Sequence, residues 1–151
     1  MAVQGAWTIL NLAKLKVMES TINLAADNFN VVLCSSSQAL SASFTGSSGQ
    51  ARYADLTGEL ATANGYTVGG VNLASPTLTL AGATVTFNGG NPSWTLTGSG
   101  ITFKYAVIID ESAANKDILA YCDMDTSGGS VSPIAGSMEI QENAGGILTW
   151  T

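Results

Sequence analysis

The segment 101–110, ITFKYAVIID, constrains this chain more than any other. Ile101, Phe103, Tyr105, Val107 and Ile109 alternate with Thr102, Lys104, Ala106 and Ile108. That period of two makes one face continuously apolar. The second face turns apolar at Ala106 and Ile108. A strand that passes from half-buried to buried on both sides belongs at the centre of a sandwich or barrel.

The rest of the chain has the texture of short strands between glycine turns. Residues 29–34, FNVVLC, read as a strand with Phe29, Val31 and Leu33 on one face. Residues 77–80 alternate Thr and Leu, 84–87 place Val85 and Phe87 together, and 93–97 place Trp94 and Leu96 together. Residues 117–123, 137–141 and 147–150 complete the set, with a turn at 143–146. Strands spaced near ten residues apart predict an all-β fold, mainly an antiparallel sandwich or jelly roll. The exception is 9–19, ILNLAKLKVME, which predicts a short helix. Thr8 is placed to cap it, and Ile9, Leu12, Ala13, Leu15 and Met18 crowd one side. The alternation Leu12, Lys14, Lys16 keeps a strand reading open. Residues 1–8 read as an N-terminal arm or first strand with Trp7 as its anchor, and 9–151 as one domain.

Two long segments lack a regular period. Residues 35–50 are rich in Ser and Gly around Leu40 and Phe44, and loops of that length in compact domains usually bind something or move. Residues 55–70, DLTGELATANGYTVGG, offer a helical turn around Leu56, Leu60 and Ala61. Asn64-Gly65 and Gly69-Gly70 then bracket Tyr66, so turns at positive φ aim Tyr66 and Val68.

Composition narrows the function. Only 11% of residues are charged against 46% hydrophobic, and the net charge is −6. A surface so poor in charge suits burial against other subunits. The five basic residues Lys14, Lys16, Arg52, Lys104 and Lys116 are scattered, so nucleic acid is not an expected partner. No apolar run is long enough for a membrane helix, and no signal peptide is expected. Histidine is absent, which removes the commonest general base and most zinc sites.

The remaining candidates for chemistry have simpler readings. Cys34 and Cys122 fit no metal spacing and read as small buried strand residues, although a disulfide stays open until their separation is known. Asp123 and Asp125 lack the ligand spacing of a calcium loop and read as solvated carboxylates. Asp110 and Glu111 are adjacent at a strand end, where turn solvation is expected rather than acid–base work on sugars. Tyr66, Trp94 and Tyr121 could form a sugar platform, but Trp94 and Tyr121 have the spacing of core residues. No enzyme activity and no cofactor are expected.

NGYTVGG at 64–70, a Trp-bearing strand, YAVIID at 105–110 and GGILT at 145–149 resemble, in that order, a family of small β-rich bacteriophage virion proteins. The resemblance runs through nearly the whole chain, from a helical start through FNVVLC and DILAYCDMD. The Ser/Gly stretch 35–50 departs from it. The resemblance implies a non-enzymatic virion component assembled in the host cytoplasm. A capsid decoration (cement) protein is the expected role, bound to the major capsid protein and to copies of itself, as a trimer. A tail or fibre protein, or a glycan-binding adhesin, is the alternative. Trp7, Leu40, Phe44, Tyr66 and Val68 are the candidate contact residues.

Overall fold

The computed structural model describes residues 1–143 and 145–151. The turn expected at 143–146 includes position 144, which lies outside the described residues. The chain is all-β with antiparallel sheets and one short helix. In chain order the elements are β1 (Trp7–Ile9), α1 (Asn11–Met18), β2 (Phe29–Cys34), β3 (Val71–Asn72), β4 (Thr77–Ala81), β5 (Thr84–Asn88), β6 (Ser93–Leu96), β7 (Tyr105–Asp110), β8 (Ile118–Asp123), β9 (Gly136–Glu139) and β10 (Leu148–Trp150). They form a five-stranded sheet β1-β8-β7-β2-β3, a three-stranded sheet β10-β5-β4 and a pair β6-β9.

The central strand β7 is shorter than its apolar alternation. Phe103 leaves the sheet to exchange backbone hydrogen bonds with Val131, and regular pairing begins at Tyr105. Ile101 and Phe103 are nevertheless buried. The register of β7 against β2 puts Phe29, Val31, Leu33, Ala106, Ile108 and Asp110 on one face. Val32, Cys34, Val107 and Ile109 occupy the other, and all of these residues are fully buried. Burying each of the aliphatic ones is worth about 1.5–3 kcal/mol, but only if both faces find a cover.

The smaller sheet covers one face. Phe87 of β5 meets Phe29 edge-on, with ring centroids 5.4 Å apart, and the layers stack in a sandwich-like way. Helix α1 packs on β8. Its start has no side-chain cap, because Leu10 rather than Thr8 stands at the N-cap. Its inward side is Leu12, Ala13, Lys16 and Val17, whereas Leu15 and Met18 are exposed, contrary to the side read from the sequence. Lys16 accounts for the change of face: its ammonium group pairs with buried Asp117 at the start of β8.

The irregular segments are docked. In 35–50, the Ala42 carbonyl accepts from the Asn11 N–H, and buried Gln38 accepts from the Gly58 N–H. The helical turn expected at Leu56–Leu60–Ala61 does not form; a single 3-10 turn sits earlier, at Tyr53–Asp55. The strand β3, which has no sequence signature, follows Gly70. Gly70 has φ +70°, and a Cβ there would stand 1.9 Å from the Val31 carbonyl oxygen. Gly69 has φ +93° with no neighbour in that direction.

Gly70→Ala should therefore lose more stability than Gly69→Ala. Both carry the conformational cost of about 1–2 kcal/mol, and only Gly70→Ala adds an overlap with β2. Urea midpoints of the two variants check this; equal losses would mean that the loop does not press on Val31.

Candidate functional site

The NGYTVGG segment folds around one carboxylate. Glu59 Oε1 accepts from the Tyr66 hydroxyl (2.7 Å) and from the Gly69 N–H (2.8 Å). Its Oε2 accepts from the Tyr53 hydroxyl at 2.6 Å. The Tyr66 oxygen in turn accepts the Leu33 N–H at 3.1 Å. Asn64 enters at φ +51° and donates to the Gly100 carbonyl at 2.7 Å. Tyr66 is only 1% exposed. Burial is the main cause that pushes its hydroxyl, and that of Tyr53, well above the ordinary tyrosine range, with hydrogen bonding to Glu59 adding to it. Both phenols therefore stay protonated donors. The loop's polar groups are consumed in attaching it to β2.

Asp110 departs from the solvated turn expected of it. It is fully buried. Its Oδ1 caps the following turn by accepting from the Ser112 and Ala113 N–H groups. Its Oδ2 has no hydrogen-bond partner, and the Asp27 carboxyl lies close enough to act on its charge. Asp27 itself accepts from the Asn23 N–H at 2.6 Å, closing the turn before β2. Burial, then the Asp27 charge, raises the Asp110 pKa to about 6. Such a pair shares a proton at low pH and repels when both members ionise. Glu111 points away from it, toward Lys116.

The Asp123–Asp125 loop is also internally occupied. Lys104 Nζ donates to Asp123 Oδ1 (3.1 Å) and to the carbonyls of Asp125 (3.0 Å) and Gly129 (3.2 Å). Asp125 accepts from Ser127, chiefly from its hydroxyl, which holds the Asp125 carboxyl below its ordinary range. The ammonium group already supplies the positive charge among these oxygens. Cys34 and Cys122 are both free and buried. The register puts them on opposite faces of the large sheet, so no disulfide can join them. Burial pushes their thiols up to about 12 and about 11.

The open surface is apolar. Two adjoining grooves of about 220 and 210 Å³ run between the end of α1 and the smaller sheet. Val17, Leu24 and Leu78 line both, joined by Val85 and Trp150 on one side and by Ser20, Ile22, Asn23 and Ala25 on the other. The hairpin register explains the apolar wall. Leu78, Phe87 and Leu148 form one row, and Leu80, Val85 and Trp150 the next. Phe87 and Leu148 are buried, whereas Leu78 is 43% and Leu80 71% exposed.

The five sequence candidates separate. Trp7 and Tyr66 lie in the core and cannot present a contact surface in this protomer. Leu40 and Phe44 are half-buried against the core, and only Val68 stands out, at 52% exposed. Trp94 is buried, and Tyr121 packs edge-on against Tyr105, so the three aromatics form no surface platform. Sequence reasoning missed Leu78, Leu80 and Trp150. Their alternation was visible, but which strand would be the sheet edge was not.

Comparison of the chain with protein-family models, with curated proteins and with solved structures returns no match.

The Asp27–Asp110 pair makes stability depend on pH. The folded pKa of Asp110 is raised, so its contribution is full below the unfolded value of about 4. That contribution is lost as pH rises through about 6. Asp110→Asn gives Asp27 a permanent amide donor. It should raise the unfolding free energy measured by urea at pH 8, by on the order of 1 kcal/mol after solvent screening of half-exposed Asp27, and change it little at pH 5. A lower midpoint at pH 8 would show that the ionised carboxylate is the stabilising form.

Proposed function

We propose that this chain is a non-enzymatic structural component of a bacteriophage virion, a capsid decoration protein that binds neighbouring capsid subunits on the assembled shell. The reading starts from the resemblance carried by NGYTVGG, YAVIID and GGILT. The observation that carries it furthest is how the chain divides its side chains. Glu59, Lys104, Asp110 and Asp125, the groups best able to do chemistry, are engaged in internal hydrogen bonds that close loops. What the surface offers instead is apolar: Val3, Val68, Leu78, Leu80 and Ile134 are all exposed. Charge-poor surfaces of this kind favour association with protein over catalysis.

The mechanism is linkage. A protein that binds only the assembled shell stabilises it by RT ln(1+[L]/Kd), about 2.7 kcal/mol at a hundredfold excess over Kd. The contact residues on this reading are Val68, at the tip of the loop that Glu59 clamps, and Val3. The N-terminal segment is laid along β8, with the Gly5 N–H donating to the Asp123 carbonyl and the Thr126 N–H to the Val3 carbonyl. The arm thus contributes Val3, while Trp7 holds it down from inside.

Purified particles decide the matter. Quantitative gels and a cryo-EM map should find many copies at regular positions over the capsid, and Val68→Asp should lower their occupancy. A few copies at one vertex, or copies confined to the tail, would overturn the decoration role.

A further inference from the structure

We propose that the free edge of β4 is a self-association surface, pairing antiparallel with β4 of a second copy about Thr79. The pairing follows from the hairpin. Ala81 and Thr84 flank a two-residue turn in which Gly82 takes φ +62° and Ala83 does not take positive φ. Residues flanking such a turn form a hydrogen-bonded pair, and bonded and non-bonded pairs alternate from there. Thr77, Thr79 and Ala81 thus turn their backbone groups toward β5. Leu78 and Leu80 turn theirs to the open side. The Phe87 carbonyl, opposite Leu78, points the other way and accepts from the Ile147 N–H at 3.0 Å.

The open groups are self-complementary. With Thr79 facing Thr79, Leu78 of each copy stands opposite Leu80 of the other. Each such pair exchanges two backbone hydrogen bonds. The twofold axis is perpendicular to the sheet, so all the leucines fall on one face, continuous with the Val17, Leu24, Val85 and Trp150 wall. The two three-stranded sheets become one continuous sheet.

Charge singles out this edge and this occupant. No Asp, Glu, Lys or Arg occurs from residue 60 to residue 103, although the chain carries a net charge of −6. Two copies repel elsewhere and can approach here, and the cores of protein interfaces are depleted of charge in the same way. Edge strands are normally kept short or armed with Lys, Pro or bulges. The edge strands β1, β3 and β10 are two or three residues long, and β9 carries Glu139. Strand β6 buries Trp94 and Leu96, alternate residues of its four. Strand β4 is five residues long, exposed throughout and uncharged. An isologous contact closes on itself, so it yields a dimer, not the trimer expected from the sequence. The inference does not rest on the virion reading.

The test is sedimentation velocity of the full chain across micromolar concentrations. The wild type should shift from 15.4 kDa toward twice that mass. Leu80→Lys places a charge on the exposed edge and should weaken dimerisation at least tenfold without changing the urea midpoint. Leu78→Glu should do the same. Mixing the two variants should restore a dimer, because the register sets the introduced lysine of one copy opposite the introduced glutamate of the other. A wild type that stays monomeric, a dimer indifferent to Leu80→Lys, or a mixture that fails to recover would overturn the pairing.

Discussion

The structure depends on one constraint: β2 and β7 are buried on both faces, and β8 nearly so. A strand pair of this kind stabilises nothing until each face is covered, because its side chains gain only by leaving water. One cover is regular, the sheet β10-β5-β4 with Phe87 set against Phe29. Much of the other packing comes from loops, which must satisfy their own backbone groups where water is excluded. Here the covering loops do so with a few polar side chains placed at their narrow points.

Glu59 is the clearest case. One carboxylate takes two phenols and a backbone N–H, and one of those phenols takes the Leu33 N–H of β2. Hydrogen bonds to an ionised acceptor are stronger than neutral ones. Lys104 acts in the same way at the same end of β7, just before Tyr105, gathering the Asp123 carboxylate and two carbonyls of the loop after β8. Asp110 and Asp27 close the opposite end of the β2–β7 pair, each carboxylate holding a turn through backbone N–H groups. The few charged residues of the chain are therefore largely structural, which leaves the surface to Ser, Thr, Gly and aliphatic groups.

Much of the fold was legible. FNVVLC, TLTL, TVTF and SWTL alternate cleanly, and each is a strand within a residue of its expected ends. Where the reading failed, long-range contacts decided. Phe103 has the right period but pairs with Val131, across a loop whose partner no local pattern names. Leu15 and Met18 fit the apolar side of a helix, yet Lys16 turns inward because Asp117, far along the chain, takes its ammonium group. Tyr66 between glycines reads as a candidate contact residue aimed by its turns, because the Glu59 carboxylate that holds it inside lies outside the NGYTVGG motif. Asp110 looks solvated until Asp27 is brought beside it at the β2–β7 end. The apolar edge is the opposite case: its lack of charge is written in the sequence, but its place at the margin of a sheet is not.

If Glu59 is the clamp that seats the covering loop, loosening it should open that loop while the sheet stays intact. Native-state hydrogen exchange on Glu59→Gln measures this residue by residue. Exchange should be faster at Leu33, Gly69 and Gly70, with the amides of Val107 and Tyr121 protected as in the wild type. Uniform acceleration across β7 and β8, or no change at Leu33 and Gly69, would contradict the clamp.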